Sequence, residues 1–381
     1  MSETELTYKL LHLGELPTPK PLGNLDFVKY LGNTEFNRNI TKRREALQND
    51  DNLIKSHAYF EKLYVLYQTL VNSRSTIQSI SIQEFEWRAQ DGKTYNQTCL
   101  RFEMIMAAYN YACHIWNQSI KPSNSQVERE SLYKIYQIIR YVAMENVKDW
   151  IRVDLKSIPF ECTLQACQMY CSMIMVRLQR MAILTKTEWI SKQLPVKLCY
   201  WLYEEIQLLI QIVFARIKDG SASFLNWMDS LEAFRTEALI LLLIYGSQYC
   251  LEYEEVSTCY ADALVILDHG RQALDKYIKS ISTKYDKRGA LFIRTITKHG
   301  DIDYFTTLSQ YLDEKRNSIN QMLQINLSIS QTPSDTHVWN VFPHVEPLFY
   351  KQIHAKDSKM SRLLLDKTRL EEEYKNMFNN K

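Results

Sequence analysis

Scarcity of chain-breaking residues constrains this sequence more than any other feature. It holds nine glycines and nine prolines in 381 residues, together about 5%, against an average near 12%. A doubly wound enzyme, a barrel or a β-sandwich uses these residues at most of its turns. The chain is therefore predicted to be mostly long helices. Only Pro122, Pro159 and Pro195 lie between residues 22 and 332. The other prolines, from Pro17 to Pro21 and from Pro333 to Pro347, are expected to bracket the helices as extended arms.

Composition narrows the function classes. Hydrophobic residues make up 46% and charged residues 24%, which is too apolar for a disordered chain and ample for a core. The formal charge of +2 carries no global basic excess for nucleic acid. The N-terminus, Met1-Ser2-Glu3-Thr4-Glu5, lacks the apolar stretch of a signal peptide, so a cytoplasmic chain is expected. The cysteines show no Cys-x-x-Cys, so they read as buried, reduced thiols rather than zinc ligands or disulfides. Ala238 to Tyr245 is the most apolar run, well short of the ~20 residues of a membrane span.

Periodicity places the elements. Leu6-Thr7-Tyr8-Lys9-Leu10 alternates like a strand, and so does Ile80 to Ala89, with a bulge between its two phases. Asp91-Gly92 is a turn, and no further β-structure is expected. Helical stripes follow: Phe60, Leu63, Tyr64, Tyr67 and Val71; Cys99, Phe102, Met106, Tyr109, Cys113 and Trp116; Leu132, Ile135, Ile139, Val142 and Val147. Others are Leu164, Cys167, Cys171, Ile174, Leu178 and Met181; then Leu198, Leu202, Ile206, Leu209, Val213 and Ile217. Tyr260, Ala263, Leu267, Leu274 and Tyr277 form another, and Phe305, Leu308, Leu312, Ile319 and Met322 the last of the series. Ser125-x-x-Glu128 is a capping box. Asp219-Gly220-Ser221 and His299-Gly300-Asp301 read as helix ends. A final helix is expected over 356–378. Consecutive helices of about 20 residues with short connections make antiparallel neighbours, as in a tetratricopeptide-like stack.

The sequence carries no phosphate-binding glycine loop, no HExxH and no GxSxG. His114, within a helix, reads as a satisfied core or rim residue. Lys42-Arg43-Arg44 is the one local basic cluster considered for peripheral membrane contact, against a plain solvated helix face. A helical chain without a nucleophile or metal motif is more often a binding scaffold than an enzyme.

Three separated blocks sharpen that reading. The first is Phe85-x-Trp87, then Tyr95-x-Gln97-x-x-Leu100-x-Phe102-Glu103, then Asn110-x-Ala112. The second is Leu251-Glu252-x-Glu254-Glu255, Ala263-Leu264-x-x-Leu267-Asp268 and Gln272-Ala273-Leu274. The third is Gln165-Ala166-Cys167-Gln168 with Ile190-Ser191-Lys192-Gln193-Leu194. In order and spacing the chain resembles the Bro domain family, the Alix-type domain of ESCRT-associated adaptors. The resemblance spans the whole length as a single, stand-alone domain: strands and first helices over 1–95, a helical solenoid core over 96–330, and an extended arm with a last helix over 331–381. It implies a mostly α, boomerang-shaped solenoid with a tetratricopeptide-like core and a small N-terminal β-element.

The resemblance further implies binding rather than catalysis, with no cofactor, metal, nucleic acid or small-molecule substrate. The expected partner is the C-terminal amphipathic helix of an ESCRT-III subunit of the Snf-seven/CHMP-four type, held on an apolar patch during endosomal and multivesicular-body sorting. Peripheral endosomal membrane association goes with it. The patch would comprise Ile190, Leu194, Tyr170 and Leu132. Ile190 and Leu194 lie one helical turn apart, unless Pro195 opens a helix and leaves Ile190 before it. Ser330 stands where the Alix branch has a surface tyrosine. The competing readings are a Bro-fold adaptor for another client, such as a pH-signalling or Rho-effector-like scaffold, and a helical enzyme with a site assembled from scattered residues.

Overall fold

The structure, a computed structural model, describes residues 16–31, 33–72, 84–119, 125–150, 158–185, 193–218, 225–251, 259–296 and 300–325. Among them are three short strands: β1 (Lys20–Leu22), β2 (Phe85–Arg88) and β3 (Thr94–Gln97). They form one antiparallel sheet in the order β1-β2-β3. Pro21 pairs with Trp87 on the edge strand, where its missing N–H costs no ladder bond to a further strand. Phe85 and Trp87 point into the core while Glu86 and Arg88 are more open, the alternation read from the sequence. Gly92 takes the turn at φ +81°, a conformation other residues resist. β1 and β3 go beyond the strands expected from periodicity. The expected strand Leu6–Leu10, and Ile80 and Ile82, lie outside the described residues.

The rest is helical. The sheet is accompanied by α1 (Phe27–Leu31), α2 (Glu35–Asn49) and α3 (Leu53–Asn72). Thr34 caps α2 by accepting from the Asn37 N–H at 3.1 Å. Next come α4 (Leu100–Ser119) and α5 (Ser125–Gln137), which runs into a π-helical segment (Ile138–Ala143) and then α6 (Met144–Asp149). A 3₁₀ turn (Phe160–Cys162) follows Pro159. Then come α7 (Leu164–Thr185), α8 (Gln193–Lys218), α9 (Leu225–Cys250), α10 (Cys259–Ile296) and α11 (Gly300–Ile325). Two of the predicted stripes show the pattern: in α4, Phe102, Met106, Tyr109, Cys113 and Trp116 are all enclosed, and in α8 so are Leu198, Leu202, Ile206, Leu209 and Val213, whereas Phe60 and Tyr64 of α3 are only half-buried.

One expectation about a helix end is corrected. Gly300 belongs to α11, which runs on to Ile325, rather than closing a helix. The Glu128 carboxylate is buried and bonded to the Arg177 guanidinium. Gly220 and the helix expected over 356–378 lie outside the described residues.

The chain divides into two compact units. The first comprises His12–Leu178 and Leu208–Glu232; the second is built on Gln179–Gln207 and the chain from Ala233 onward. In the first, α4 is the central helix, packed against α3 and α5, and its run from Met104 to Asn110 is buried on every side. Its polar centre joins Arg44 of α2, Glu103 of α4, Tyr59 of α3 and Trp87 of β2. Glu103 accepts from Arg44 Nε at 2.9 Å and from the Tyr59 hydroxyl and Trp87 Nε1. Arg44 Nη1 also donates to the Leu22 and Gly23 carbonyls at 3.1 and 2.9 Å. Lys42-Arg43-Arg44 is therefore not a surface cluster of three cations: its third member is sealed in the core.

The second unit has a comparable centre. Arg180 of α7 presents Nε and Nη2 to the two carboxylate oxygens of Glu237 on α9, at 2.5 and 2.8 Å. The Tyr304 hydroxyl of α11 donates to the same carboxylate. Burial works to lower the Arg180 pKa, but the Glu237 charge outweighs it and the net shift is upward. Gly270 of α10 lets Leu312 come so close that an added Cβ would lie 3.0 Å from its Cδ1.

Candidate interaction surface

The four residues singled out in the sequence separate in space. Leu132 lies on α5 and is completely enclosed, with Ile135 and Ile139 on the same face. Tyr170 lies on α7 and is 2% exposed. Its ring meets Tyr109 edge-on at 5.1 Å, and its hydroxyl donates to Gln90 Oε1 at 2.6 Å. Neither can be part of an exposed patch; both are core residues, a correction to the expectation. Their helical spacing is the spacing of buried stripes. Leu194 is the second residue of α8 and is half-buried. Ile190 lies outside the described residues.

Pro195 is the third residue of α8 as described and is buried beside the half-buried Leu194.

The outer side of α8 offers a signal that its buried stripe does not convey. Besides that row, α8 carries Leu194, Tyr200, Trp201 and Tyr203 part-exposed in its first half. In its second half, Leu208 is 53% and Phe214 49% exposed. By length and composition Gln193–Ile217 is apolar enough to cross a membrane, yet only 33% of its most apolar window is buried within the chain. A helix apolar all round is ordinarily enclosed; this one keeps an apolar outer side uncovered among the described residues. The signal is legible in the sequence as a lack of charge on any face: from Ile206 to Ala215 no residue is charged.

Around Tyr170 the polar groups serve the fold. The Gln90 N–H donates to Glu161 Oε1 at 2.7 Å, and Gln90 Nε2 reaches Cys113 Sγ at 3.4 Å. Burial pushes the Glu161 carboxyl up to about 7, against the opposing effect of its backbone hydrogen bonds. Burial likewise raises Cys113 and Cys199, and Cys171 to about 12, so these thiols stay protonated and unreactive. His114 Nε2 lies 2.8 Å from Asp51 Oδ1, the rim histidine with a partner that its position suggested. No group of three His, Cys, Asp or Glu among the described residues could hold a metal ion. What α8 can do is present apolar and aromatic anchors to another chain.

Known structures share the architecture. A Bro1 domain solved as a structural basis for endosomal targeting is 14% identical, with a TM-score of 0.61 over 93% of this chain and 97% of that one. The ALIX BRO1 domain in a complex with CHMP4C is 10% identical, with a TM-score of 0.58 over 85% and 91% of the two chains. ALIX in complex with the SIVmac239 PYKEVTEDL late domain is 10% identical, with a TM-score of 0.55; 96% of this chain matches 56% of that one. No family profile matches the chain, and no curated protein does.

Proposed function

We propose that this chain, which has the fold of a Bro1 domain, is an interaction scaffold that binds the C-terminal amphipathic helix of an ESCRT-III subunit and is recruited from the cytoplasm to endosomes. The observation that carries the reading is the likeness, across most of both chains, to the ALIX BRO1 domain that was solved with CHMP4C. The outer side of α8 supports it. An amphipathic helix docks by seating apolar anchors at helical spacing, and a few aromatic anchors supply most of the affinity. Leu194 and Trp201 are seven residues apart, two turns of one face, and both are part-exposed. The reading gives the chain no catalytic step and no cofactor. Ile190 remains a proposed neighbour of Leu194 in this patch.

The test is a titration of the full chain with a labelled C-terminal helix peptide of a CHMP4-type subunit. Leu194→Asp places a carboxylate among the anchors and is expected to weaken binding at least tenfold, about 1.4 kcal/mol. Equal binding by wild type and Leu194→Asp would remove Leu194 from the site. No saturable binding by wild type would remove the partner class, and a pull-down rich in other clients would then favour the pH-signalling or Rho-effector-like alternative.

A further inference from the structure

A second surface lies on the first unit, built from α2, α3, α4 and α5. α4 packs against both α3 and α5, and one of its aromatic residues is reached from both sides. From α3, Phe60 comes within 5.3 Å of the Tyr111 ring and His57 within 5.0 Å, centroid to centroid. Tyr64, one turn beyond Phe60, stacks on it at 6.1 Å and 21°. From α5, the Lys134 ammonium stands 5.2 Å over the Tyr111 ring. Tyr111 is the buried floor, Phe60 and Tyr64 are half-buried, and His57 and Lys134 are exposed. Ile54, one turn before His57 on the same face of α3, is 80% exposed.

The charges around these rings are unequal. Lys134 meets Tyr111 and, among the described residues, no carboxylate. Arg43 of α2 and Lys134 both act on His57, and Glu61 of α3 is the one opposing charge that acts on it. Aromatic faces beside an uncompensated ammonium favour a ligand that brings both a flat apolar group and negative charge.

We propose that this aromatic trough is a docking surface for an acidic peptide segment of a partner protein, one carrying an aromatic side chain beside its carboxylates. The side chain would lie against Phe60, His57 and Tyr111, and the carboxylates would pair with Lys134 and Arg43. The surface is independent of the α8 reading. His57 gives it a pH dependence. Burial, then Lys134, with Arg43 adding to them, hold its pKa below the ordinary value against the pull of Glu61. Bound carboxylates favour the protonated ring, so the peptide binds more tightly as pH falls from neutral toward about 6.

The experiment is fluorescence anisotropy on the full chain with a labelled pentapeptide of two glutamates, phenylalanine and two glutamates. Its control replaces every glutamate by glutamine. Saturable binding is expected that falls roughly tenfold with Lys134→Glu, less with Lys134→Met, and roughly tenfold with the glutamine peptide. Leu194→Asp is expected to leave it unchanged, which separates this surface from the α8 patch. Lys134 is solvent-exposed, so both variants at that position are expected to keep the melting temperature of wild type. The proposal is overturned by absence of saturable binding, by equal binding of Lys134→Glu and wild type, or by equal binding of the two peptides. Vesicles of phosphatidylserine and phosphatidylcholine form the third arm: Lys134-dependent flotation without peptide binding would also overturn it and assign the surface to membranes.

Discussion

The two units each enclose an arginine, a glutamate and a tyrosine, and they use the trio differently. In the second unit Arg180, Glu237 and Tyr304 join three helices, and the guanidinium stands 5.1 Å over the Phe234 ring. In the first, Glu103 takes three donors, and Arg44 reaches past it to carbonyls at the end of β1. One trio fastens helix to helix, where apolar stripes already specify the packing. The other fastens helices to a three-strand element whose first strand has only three residues. A strand that short has little of its own to hold it. A buried ion pair acquires a structural task when it satisfies backbone groups that secondary structure leaves open.

The largest test of that contrast removes each carboxylate. Glu103→Ala and Glu237→Ala each strand a buried guanidinium, which costs about 3–5 kcal/mol. Glu103→Ala is expected to cost more, because Tyr59 and Trp87 lose their acceptor as well. Urea unfolding followed by circular dichroism measures both, and a larger loss for Glu237→Ala would reverse the comparison. Hydrogen exchange should show the β1 and β2 amides opening in Glu103→Ala and staying protected in Glu237→Ala.

An intermediate effect comes from Glu161, which also joins the β-element to the helices. Its folded pKa of about 7 lies above the ordinary carboxyl value, so the folded state holds the proton more tightly. Its stabilising contribution is complete below about pH 4.5 and is lost as pH rises through about 7, on the order of 3 kcal/mol in all. Glu161→Gln keeps an acceptor for the Gln90 N–H and should flatten the stability profile between about pH 5 and 8. An unchanged slope would show that another group titrates there.

The smallest effect is at Tyr170. Tyr170→Phe removes one hydrogen bond to Gln90 and should cost about 1 kcal/mol, with no change in peptide binding at α8 or in the aromatic trough. A binding defect in a variant of normal stability would put Tyr170 back in a site.

Much of the fold is legible in the sequence because burial writes itself as periodicity. The rows in α4, α8 and α11 can be read residue by residue and are enclosed as expected, apart from ends such as Met322, which is exposed. Leu164, at the start of the α7 row, is exposed in the same way. The site is less legible for the same reason. Leu132 and Tyr170 lie at helical spacing within buried rows, and spacing cannot say whether a row faces a core or a partner. Strands β1 and β3 leave little trace because a run of three or four residues, one with a proline in it, is too short to show alternation.

The π-helical segment from Ile138 to Ala143 bears on how this domain tolerates change. Ile139 and Met144 are both buried and the Met144 N–H donates to the Ile139 carbonyl, although five residues of regular α-helix would turn them about 140° apart. The wider turn acts as a gearbox, restoring phase after an odd step. The Asn146 side chain donates to the Val142 carbonyl at 2.8 Å, serving a backbone group within the widened stretch. A chain that lost one residue here would tighten into plain α-helix and keep the buried face of α6 in phase. A single-codon deletion, which in a regular stretch of helix rotates everything downstream by about 100° and swaps inside for outside, would at this point be absorbed.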